Sequence, residues 1–260
     1  MEFRNRKDEL DITSENPMVY EDNVVGWYDA INNKIMKSRE TKSQALTFFI
    51  NRSKIGIAPI DKDSETLLSQ MEHRDRYLPA IEKMAEKRKC EWLTVRDLLK
   101  TLSGEEKEIA YQPNGKPYLS DCSYHVSISH TNYKGVHDDH LSGYVAMVLN
   151  EEKEVAIDIE MISPRVLKIK DRFLTEEEAK SISADNEIIH LLLHWSAKES
   201  VFKILDTENV DYQSQIHVSP FKPVIGEWSR FEVHETRTKQ QQVFCVHYFV
   251  HEDYVLTVIG

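Results

Sequence analysis

The chain has 260 residues, of which 40% are hydrophobic, so it can bury the core of one large domain or two small ones. Its formal net charge of −11 argues against general affinity for nucleic acid, and there is no run of about 18 apolar residues that could span a membrane. Three widely spaced cysteines, Cys90, Cys122 and Cys245, argue against a disulfide framework or a zinc site and predict a reducing, cytoplasmic location.

Charge and polarity divide the chain into three predicted segments. Residues 1–23 are polar, lack the apolar core of a signal peptide and are expected to be loosely attached. The charged stretch 150–154 is the predicted boundary between an N-terminal half, 24–152, and a C-terminal half, 153–260. The first 60 residues carry no pattern from which we could predict a role.

The N-terminal half is predicted to combine strands with one long helix. β-Branched and aromatic residues predict a strand over 46–60, and a helical region follows from about Ser64. An apolar stripe of helical spacing comes next and ends at Ser103-Gly104, a stop signal for the helix. Asn114-Gly115 is typical of a tight turn, and a polar loop then separates two predicted strands. The stripe is Trp92, Val95, Leu98, Leu99 and Leu102, the strands are 124–129 and 143–149, and the loop is 131–140.

The C-terminal half is predicted to run from one strand through three helices to late strands. Thr175 and Glu178 have the Thr-x-x-Glu spacing of a capping box, which predicts that a helix begins there. The last two strands are predicted to form a hairpin. The predicted elements are a strand over 155–160, helices over about 166–172, 176–184 and 187–205, and strands over 243–250 and 254–259.

The strand over 155–160 carries two acids on one face. Its apolar residues alternate with polar ones, so Asp158 and Glu160 share a face with Ala156. Like charges at this spacing repel one another unless solvent or a cation relieves them. The acids therefore indicate either a metal-binding strand or an amphipathic edge strand with its acids in water.

The helix over 187–205 carries a second set of charged residues. Trp195, Glu199 and Lys203 are four residues apart and stack along one side of the helix. Its predicted core stripe is Ile188, Leu192, Trp195, Phe202 and Leu205. The alternative to a functional site is a surface ion pair between Glu199 and Lys203, worth about 0.3–0.5 kcal/mol.

Together these two stretches resemble the Sfp-type 4′-phosphopantetheinyl transferases. That family has a Gly-(Ile/Val)-Asp-x-Glu strand followed by a Trp-x-x-Lys-Glu-(Ser/Ala)-x-x-Lys helix, and this chain departs from the pattern only in having Ala156 for the usual Gly. The resemblance covers about residues 85 to 205. The matching stretches are 114–119, 126–130, 156–160, 163–167, 172–178 and 195–203.

The resemblance implies a fold and a reaction. The expected fold is α+β and pseudo-duplicated, with each half a small antiparallel sheet packed on a long helix and the active site in the cleft between the halves. The expected reaction transfers the 4′-phosphopantetheine group of coenzyme A to a serine of an apo acyl or peptidyl carrier protein. It requires Mg²⁺ and releases adenosine 3′,5′-bisphosphate.

The resemblance also assigns the catalytic and metal-binding residues. Asp158, Glu160 and Glu199 are expected to bind Mg²⁺, which prefers carboxylate and phosphate oxygens. Glu199 is also the expected general base, and Lys203 is expected to contact the diphosphate and stabilise the leaving group. Glu178 resembles a family acid near the metal, and its capping box is an equally good explanation.

The residues expected to bind coenzyme A lie mainly in the N-terminal half. The Ser129-His130 pair and Lys116 are expected to contact its phosphates, with Pro117 shaping the nucleotide pocket. Arg88 is expected to bind the 3′-phosphate because a guanidinium can bind phosphate through two hydrogen bonds, although Lys87, Lys89 and Arg96 are not distinguished from it. Lys198 is expected near the phosphates or, alternatively, in solvent.

A basic surface is the predicted docking site for an acidic carrier protein. Arg165, Lys168, Lys170 and Arg172 lie within eight residues and are offset only by Asp171. The alternative is a solvated helix face. The resemblance implies a monomer, and the sequence does not indicate which carrier protein is used. Two other hypotheses remain: a catalytically silent homologue that binds coenzyme A or a carrier, and an unrelated Mg²⁺-dependent phosphohydrolase.

Overall fold

The structure is a computed structural model that describes residues 18–20, 28–29, 34–35, 45–132, 142–205, 207 and 209–260. It contains two five-stranded antiparallel sheets together with five α-helices in the described ranges, which confirms the α+β prediction. The predicted N-terminal segment, apart from residues 18–20, and most of the predicted polar loop lie outside the described residues.

The first sheet belongs to the N-terminal half and has the strand order β1-β4-β5-β9-β8. The prediction of a single strand over residues 46–60 is wrong. Asn51 and Arg52 have φ angles of 47° and 66° and form a tight turn between two strands. The elements are β1 (Met18–Tyr20), β2 (Tyr28–Asp29), β3 (Lys34–Ile35), β4 (Leu46–Ile50), β5 (Ser53–Pro59), α1 (Ser64–Ser69), α2 (Arg74–Ile81), α3 (Glu86–Ser103), β6 (Ile109–Tyr111), β7 (Pro117–Leu119), β8 (His125–Asn132) and β9 (Gly143–Asn150).

Two predicted signals in this half are confirmed. Helix α3 ends at Gly104, which has a left-handed φ of 85° and donates its N–H to the carbonyl of Lys100. Gly115 has a φ of 87° in the turn that joins β6 to β7. This turn holds Lys116 and Pro117 beside the first sheet.

The second sheet belongs to the C-terminal half and has the strand order β10-β14-β13-β12-β11. The predicted capping box is present, because Thr175 and Glu178 exchange hydrogen bonds between side chain and backbone. The predicted helix over 166–172 is instead two 3₁₀ helices, Pro164–Lys168 and Lys170–Arg172; the β-branched Val166 and Ile169 slightly disfavour a continuous α-helix here. The other elements are β10 (Ala156–Met161), α4 (Glu176–Ser181), α5 (Glu187–Leu205), β11 (Ile216–Val218), β12 (Ser229–Glu235), β13 (Val243–Val250) and β14 (Tyr254–Ile259).

The two halves repeat one order of elements. In the first, β5 leads to α3 and then to β8 and β9, with β9 between β5 and β8 in the sheet. In the second, β10 leads to α5 and later to β13 and β14, with β14 between β10 and β13. Helix α3 packs on β5 and β9, and α5 packs on the corresponding strands β10 and β14.

The halves meet where the edge strands β8 and β10 lie side by side. Backbone N–H groups of β10 donate to side-chain hydroxyls of β8 instead of to its carbonyls, at 3.2–3.3 Å. This arrangement brings the acids of β10 against the Ser129-His130 pair of β8. The bonded pairs are Ile157 with Ser127, Ile159 with Ser129, and Met161 with Thr131.

Candidate active site

Asp158 lies at the centre of the residues that join the two halves. Its Oδ1 accepts hydrogen bonds from the Ser129 hydroxyl and the Lys203 ammonium, both at 2.9 Å. Its Oδ2 is buried and has no hydrogen-bond partner. Asp158 is only 5% exposed, so the alternative of an edge-strand acid in water is wrong for this residue. A buried, unpartnered carboxylate oxygen is costly and is expected to bind a ligand.

Lys203 connects helix α5 to this carboxylate. Besides Asp158, its Nζ donates to the carbonyl of Ile157 at 2.7 Å. The ion pair that Lys203 forms is therefore with the neighbouring strand, and the predicted alternative of a surface pair with Glu199 is wrong. Trp195, Glu199 and Lys203 do share one side of α5, and that side faces β10.

Glu160 is held by an aromatic residue that the metal and cofactor predictions did not include. The indole Nε1 of Trp195 donates to its Oε1 at 2.8 Å. Burial, followed by the charge of Asp158, raises the pKa of Glu160 to about 7, while the Trp195 hydrogen bond acts in the opposite direction. The indole thus orients a carboxylate that has little other stabilisation.

Glu199 lies beside Tyr212, a second residue that the sequence patterns did not identify. The Tyr212 side chain favours the charged form of Glu199, and its ring packs on the Trp195 ring with a centroid distance of 5.6 Å. Burial and then the charge of Asp158 raise the pKa of the Glu199 carboxyl, and burial followed by the charge of Glu199 raises the pKa of the Tyr212 phenol. Tyr212 lies in a connecting segment without motif or periodicity, so no sequence signal pointed to it.

The three carboxylates have the composition of a magnesium site. Oxygens from Asp158, Glu160 and Glu199 are the donors that Mg²⁺ prefers, and the unpartnered Asp158 Oδ2 together with two raised pKa values indicates negative charge that a cation would relieve. We conclude that these residues fit the ion.

Their present spacing is wider than in a closed metal site. Among the residues that the structure describes, three metal-binding groups come within 4.8 Å of one another only in the turn formed by His251, Glu252 and Asp253. Asp158 and Glu160 are instead held separately, Asp158 by Lys203 and Glu160 by Trp195. That Asp158, Glu160 and Glu199 converge on one ion therefore stays a prediction.

Residues of the N-terminal half form a polar cluster next to Asp158. His130 and Arg88 both contact the buried carboxylate of Glu91, with 3.2 Å between His130 Nε2 and Glu91 Oε1. Burial, then the positive charges of Arg88 and Lys203, lower the pKa of His130. The structure therefore brings Arg88 and His130 together, and their binding of phosphate stays a prediction, whereas the Ser129 hydroxyl is used by Asp158 and the backbone of β10.

Arg96, one of the alternatives to Arg88 as a phosphate ligand, is less available than Arg88. Arg96 is buried, stacks on the Trp92 ring with its guanidinium carbon 3.2 Å from the centroid, and donates to the Trp92 carbonyl. Burial lowers the pKa of Arg96 to about 10. Its guanidinium is occupied by the core of the N-terminal half, whereas the Arg88 side chain is 55% exposed.

Lys116 lies farther from the carboxylates than His130 does. Its Nζ is 3.0 Å from the Glu154 carboxylate, just before β10 begins. Glu154 precedes Asp158 by four residues, which corresponds to about 13 Å along an extended strand. Lys116 and the adjacent Pro117 therefore lie at the opposite end of β10 from the carboxylates.

The position of Lys198 contradicts its predicted contact with the cofactor and also the alternative that it is solvated. Its side chain is fully buried, and Nζ donates to the Glu178 carboxylate at 2.9 Å and to the carbonyls of Phe173 and Tyr212 at 2.5 and 3.0 Å. Both carboxylate oxygens of Glu178 accept hydrogen bonds, because the side chain also caps α4 and accepts the N–H of Val218 at 2.8 Å. Both residues stabilise the fold of the C-terminal half.

The predicted basic surface is partly neutralised. Arg165, Lys168 and Arg172 are exposed on the two 3₁₀ helices, whereas Lys170 lies 3.5 Å from Glu187. A groove of about 230 Å³ adjoins this surface and includes the apolar side chains of Leu174, Ala179, Ile182 and Leu191. Its rim is mixed in charge, with Lys170 beside Asp171, Glu176 and Glu187.

Comparison with known proteins identifies the class of the C-terminal half. Residues 154–259, which include every predicted metal ligand, match the family model of the 4′-phosphopantetheinyl transferase superfamily. The match supports a transferase of this superfamily, in agreement with the resemblance found in the sequence. No curated protein matches the chain. No helix within the described ranges is both long and apolar enough to cross a membrane.

Proposed function

We propose that this protein is a Sfp-type 4′-phosphopantetheinyl transferase. It transfers the 4′-phosphopantetheine group of coenzyme A to a serine of an apo carrier protein and releases adenosine 3′,5′-bisphosphate. The observation that carries the proposal is Asp158, whose carboxylate joins Ser129 of one half to Lys203 of the other and keeps one oxygen unpartnered. The order of elements repeated in the two halves supports a pseudo-duplicated fold with the site in the cleft between them.

In the proposed reaction the carrier serine oxygen forms a bond to the phosphorus that bears pantetheine. The bond from that phosphorus to the bridging oxygen breaks, and its electron pair leaves with adenosine 3′,5′-bisphosphate. Glu199 accepts the serine proton, and its raised pKa suits a general base near neutral pH. Lys203 stabilises the negative charge of the leaving phosphate. Asp158, Glu160 and Glu199 would hold Mg²⁺, which neutralises the diphosphate.

Coenzyme A extends across both halves in this proposal. Arg88 and His130 bind the 3′-phosphate near the carboxylates, and Lys116 and Pro117 contact coenzyme A at the far end of β10. The distance of about 13 Å along β10 between Asp158 and Glu154, the partner of Lys116, suits an extended ligand that contacts both ends of the strand. Ser129 positions Asp158 instead of touching the ligand.

Mass spectrometry of apo carrier proteins tests the reaction. Incubation with this protein, coenzyme A and Mg²⁺ is expected to add one phosphopantetheine group to a carrier serine. Excess EDTA is expected to abolish the addition, and Mg²⁺ to restore it. Binding of coenzyme A with no mass gain on acyl or peptidyl carriers would favour the catalytically silent homologue instead.

Charge reversal on the basic surface tests carrier docking. We expect Lys168→Glu with Arg172→Glu to raise the Michaelis constant for an acidic carrier and to leave coenzyme A binding unchanged, because rim charges act mainly on protein association. The effect should shrink as salt rises from about 0.15 M toward 1 M, where the screening length falls from about 8 to about 3 Å. We chose Arg172 over Lys170 because Lys170 already pairs with Glu187.

The matched control reverses two exposed lysines elsewhere, Lys83→Glu with Lys239→Glu, which changes the net charge equally. Steady-state kinetics with the carrier as varied substrate should distinguish the two double variants. Equal effects would show that only the net charge of the protein matters. Weakened coenzyme A binding in the first variant would place the basic surface in the cofactor site.

A further inference from the structure

We infer that Glu91 is a positioning residue of the coenzyme A site, which holds Arg88 and His130 in place to bind a phosphate group. This inference rests on the proposed function and adds a residue to its site. An acid at this point is unexpected, because a carboxylate repels the phosphate that its neighbours would bind. Its contacts and burial explain how it can nevertheless favour binding.

Glu91 receives donors from two elements at once. On its own helix, Arg88 lies three residues earlier and pairs with Oε1. From strand β8, His130 also approaches Oε1, and the amide of Asn132 donates to Oε2 at 3.4 Å. The Glu91 side chain is only 8% exposed, so its carboxylate is largely shielded from any ligand in solvent.

The two residues that Glu91 holds are far more accessible than Glu91 itself. The exposed fraction is 55% for the Arg88 side chain and 41% for His130. An arginine has five N–H donors, and the contact with Glu91 engages one of its two terminal nitrogens, so donors remain for a phosphate. The buried carboxylate thus fixes one side of each group and leaves the other side facing out.

Strand β8 links this cluster to the catalytic carboxylates. Successive side chains of a strand point to opposite sides, and here Ser127, Ser129 and Thr131 contact β10 while His130 and Asn132 contact Glu91. The charges of Lys203 and Asp158 nevertheless act on the His130 imidazole, which places the ring near these two residues. An anion bound by Arg88 and His130 would therefore lie near the predicted metal site, in the cleft between the halves.

Electrostatics and positioning predict opposite outcomes for Glu91→Gln. If the carboxylate only repels the ligand, its neutralisation tightens binding. If it positions Arg88 and His130, its loss lets both side chains adopt other rotamers and weakens binding. Calorimetry with adenosine 3′,5′-bisphosphate, compared with adenosine 5′-monophosphate, separates the contribution of the extra phosphate and requires no turnover.

We expect Glu91→Gln to weaken binding of the bisphosphate about tenfold, the effect of losing one well-placed charged hydrogen bond. Binding of the monophosphate should change much less. Combined with Arg88→Ala, Glu91→Gln should cause a smaller further loss than in the wild type, because only its contact with His130 then remains to be lost. Glu91→Asp keeps the charge and should retain part of the affinity. In turnover assays Glu91→Gln should raise the Michaelis constant for coenzyme A and leave kcat nearly unchanged.

The control is Asp97→Asn, which removes another acid of helix α3, one that pairs with Lys62 outside the helix, and it should leave both affinities at the wild-type level. Thermal unfolding of each variant shows whether the fold is kept. Unchanged or tighter bisphosphate binding in Glu91→Gln overturns the inference, as does a wild-type protein that does not bind the bisphosphate. A protein that binds the bisphosphate with this pattern but modifies no carrier keeps the inference and overturns the proposed function.

Discussion

Replacement of Asp158 by Asn is expected to lower the transferase turnover by about a hundredfold or more. If Asp158 binds Mg²⁺ as proposed, its replacement removes several kcal/mol of charge stabilisation, and each 1.4 kcal/mol corresponds to a factor of ten. Asn keeps an oxygen that accepts from Ser129 and Lys203, so the free energy of unfolding should change by no more than about 2 kcal/mol. Activity at limiting Mg²⁺ and urea unfolding measure the two effects separately.

The matched control is Asp253→Asn. Asp253 lies in the turn between β13 and β14, where it accepts the Tyr144 hydroxyl at 2.7 Å and belongs to the group with His251 and Glu252. We expect this variant to retain wild-type turnover. The opposite pattern, an active Asp158→Asn and an inactive Asp253→Asn, would move the metal site to the turn.

The fold was predictable where local signals are strong. Gly104 and the capping box of Thr175 and Glu178 set helix ends through bonds to residues three or four positions away, and a sequence shows such spacings directly. The turn at Asn51 and Arg52 was missed because neither residue is the glycine that usually marks a left-handed backbone. The short turns around Val166 were missed because charged residues at helical spacing resemble a solvated helix.

The predicted core stripe of α5 was also incomplete, for a reason that concerns tertiary structure. The helix is buried on most sides, and its polar residues Ser196 and Ser200 both bond the hydroxyl of Thr257 on β14. The spacing of apolar residues predicts the buried face of a helix only when the helix has one such face. It does not identify buried polar residues, such as serines that hydrogen-bond a neighbouring sheet. Lys198 was misassigned for the same reason, because its partners lie 14 to 25 residues away in sequence.

Only those residues of the candidate site that belong to the sequence motifs could be predicted. Asp158 and Lys203 were identified because the strand and helix patterns contain them, and the structure brings them to 2.9 Å. Trp195 belongs to the helix pattern, but its hydrogen bond to Glu160 spans 35 residues and is not visible in the sequence. Tyr212 and Glu91 have no spacing that a single sequence could reveal, since their contacts depend on how β8, β10 and the two long helices pack.

Replacement of Lys198 by Met is expected to reduce the free energy of unfolding by about 3–5 kcal/mol. The substitution leaves the buried Glu178 carboxylate without its cation and removes the donor to the carbonyls of Phe173 and Tyr212. Breaking a buried ion pair costs this much because the remaining charge stays out of water. Adding Glu178→Gln to Lys198→Met should recover part of the loss. Urea unfolding of the single and double variants measures both effects.

An ion pair on the protein surface serves as the control for the buried pair of Lys198 and Glu178. Arg52 and Glu152 bond at 3.0 Å, but both side chains are 69% exposed, so Arg52→Met should cost less than about 1 kcal/mol. A cofactor-binding Lys198 would give the reverse result: weaker coenzyme A binding with little change in unfolding. We expect the stability loss to dominate, and Lys198→Met protein that remains folded at low temperature should still bind coenzyme A, because no donor of the proposed binding site has been removed.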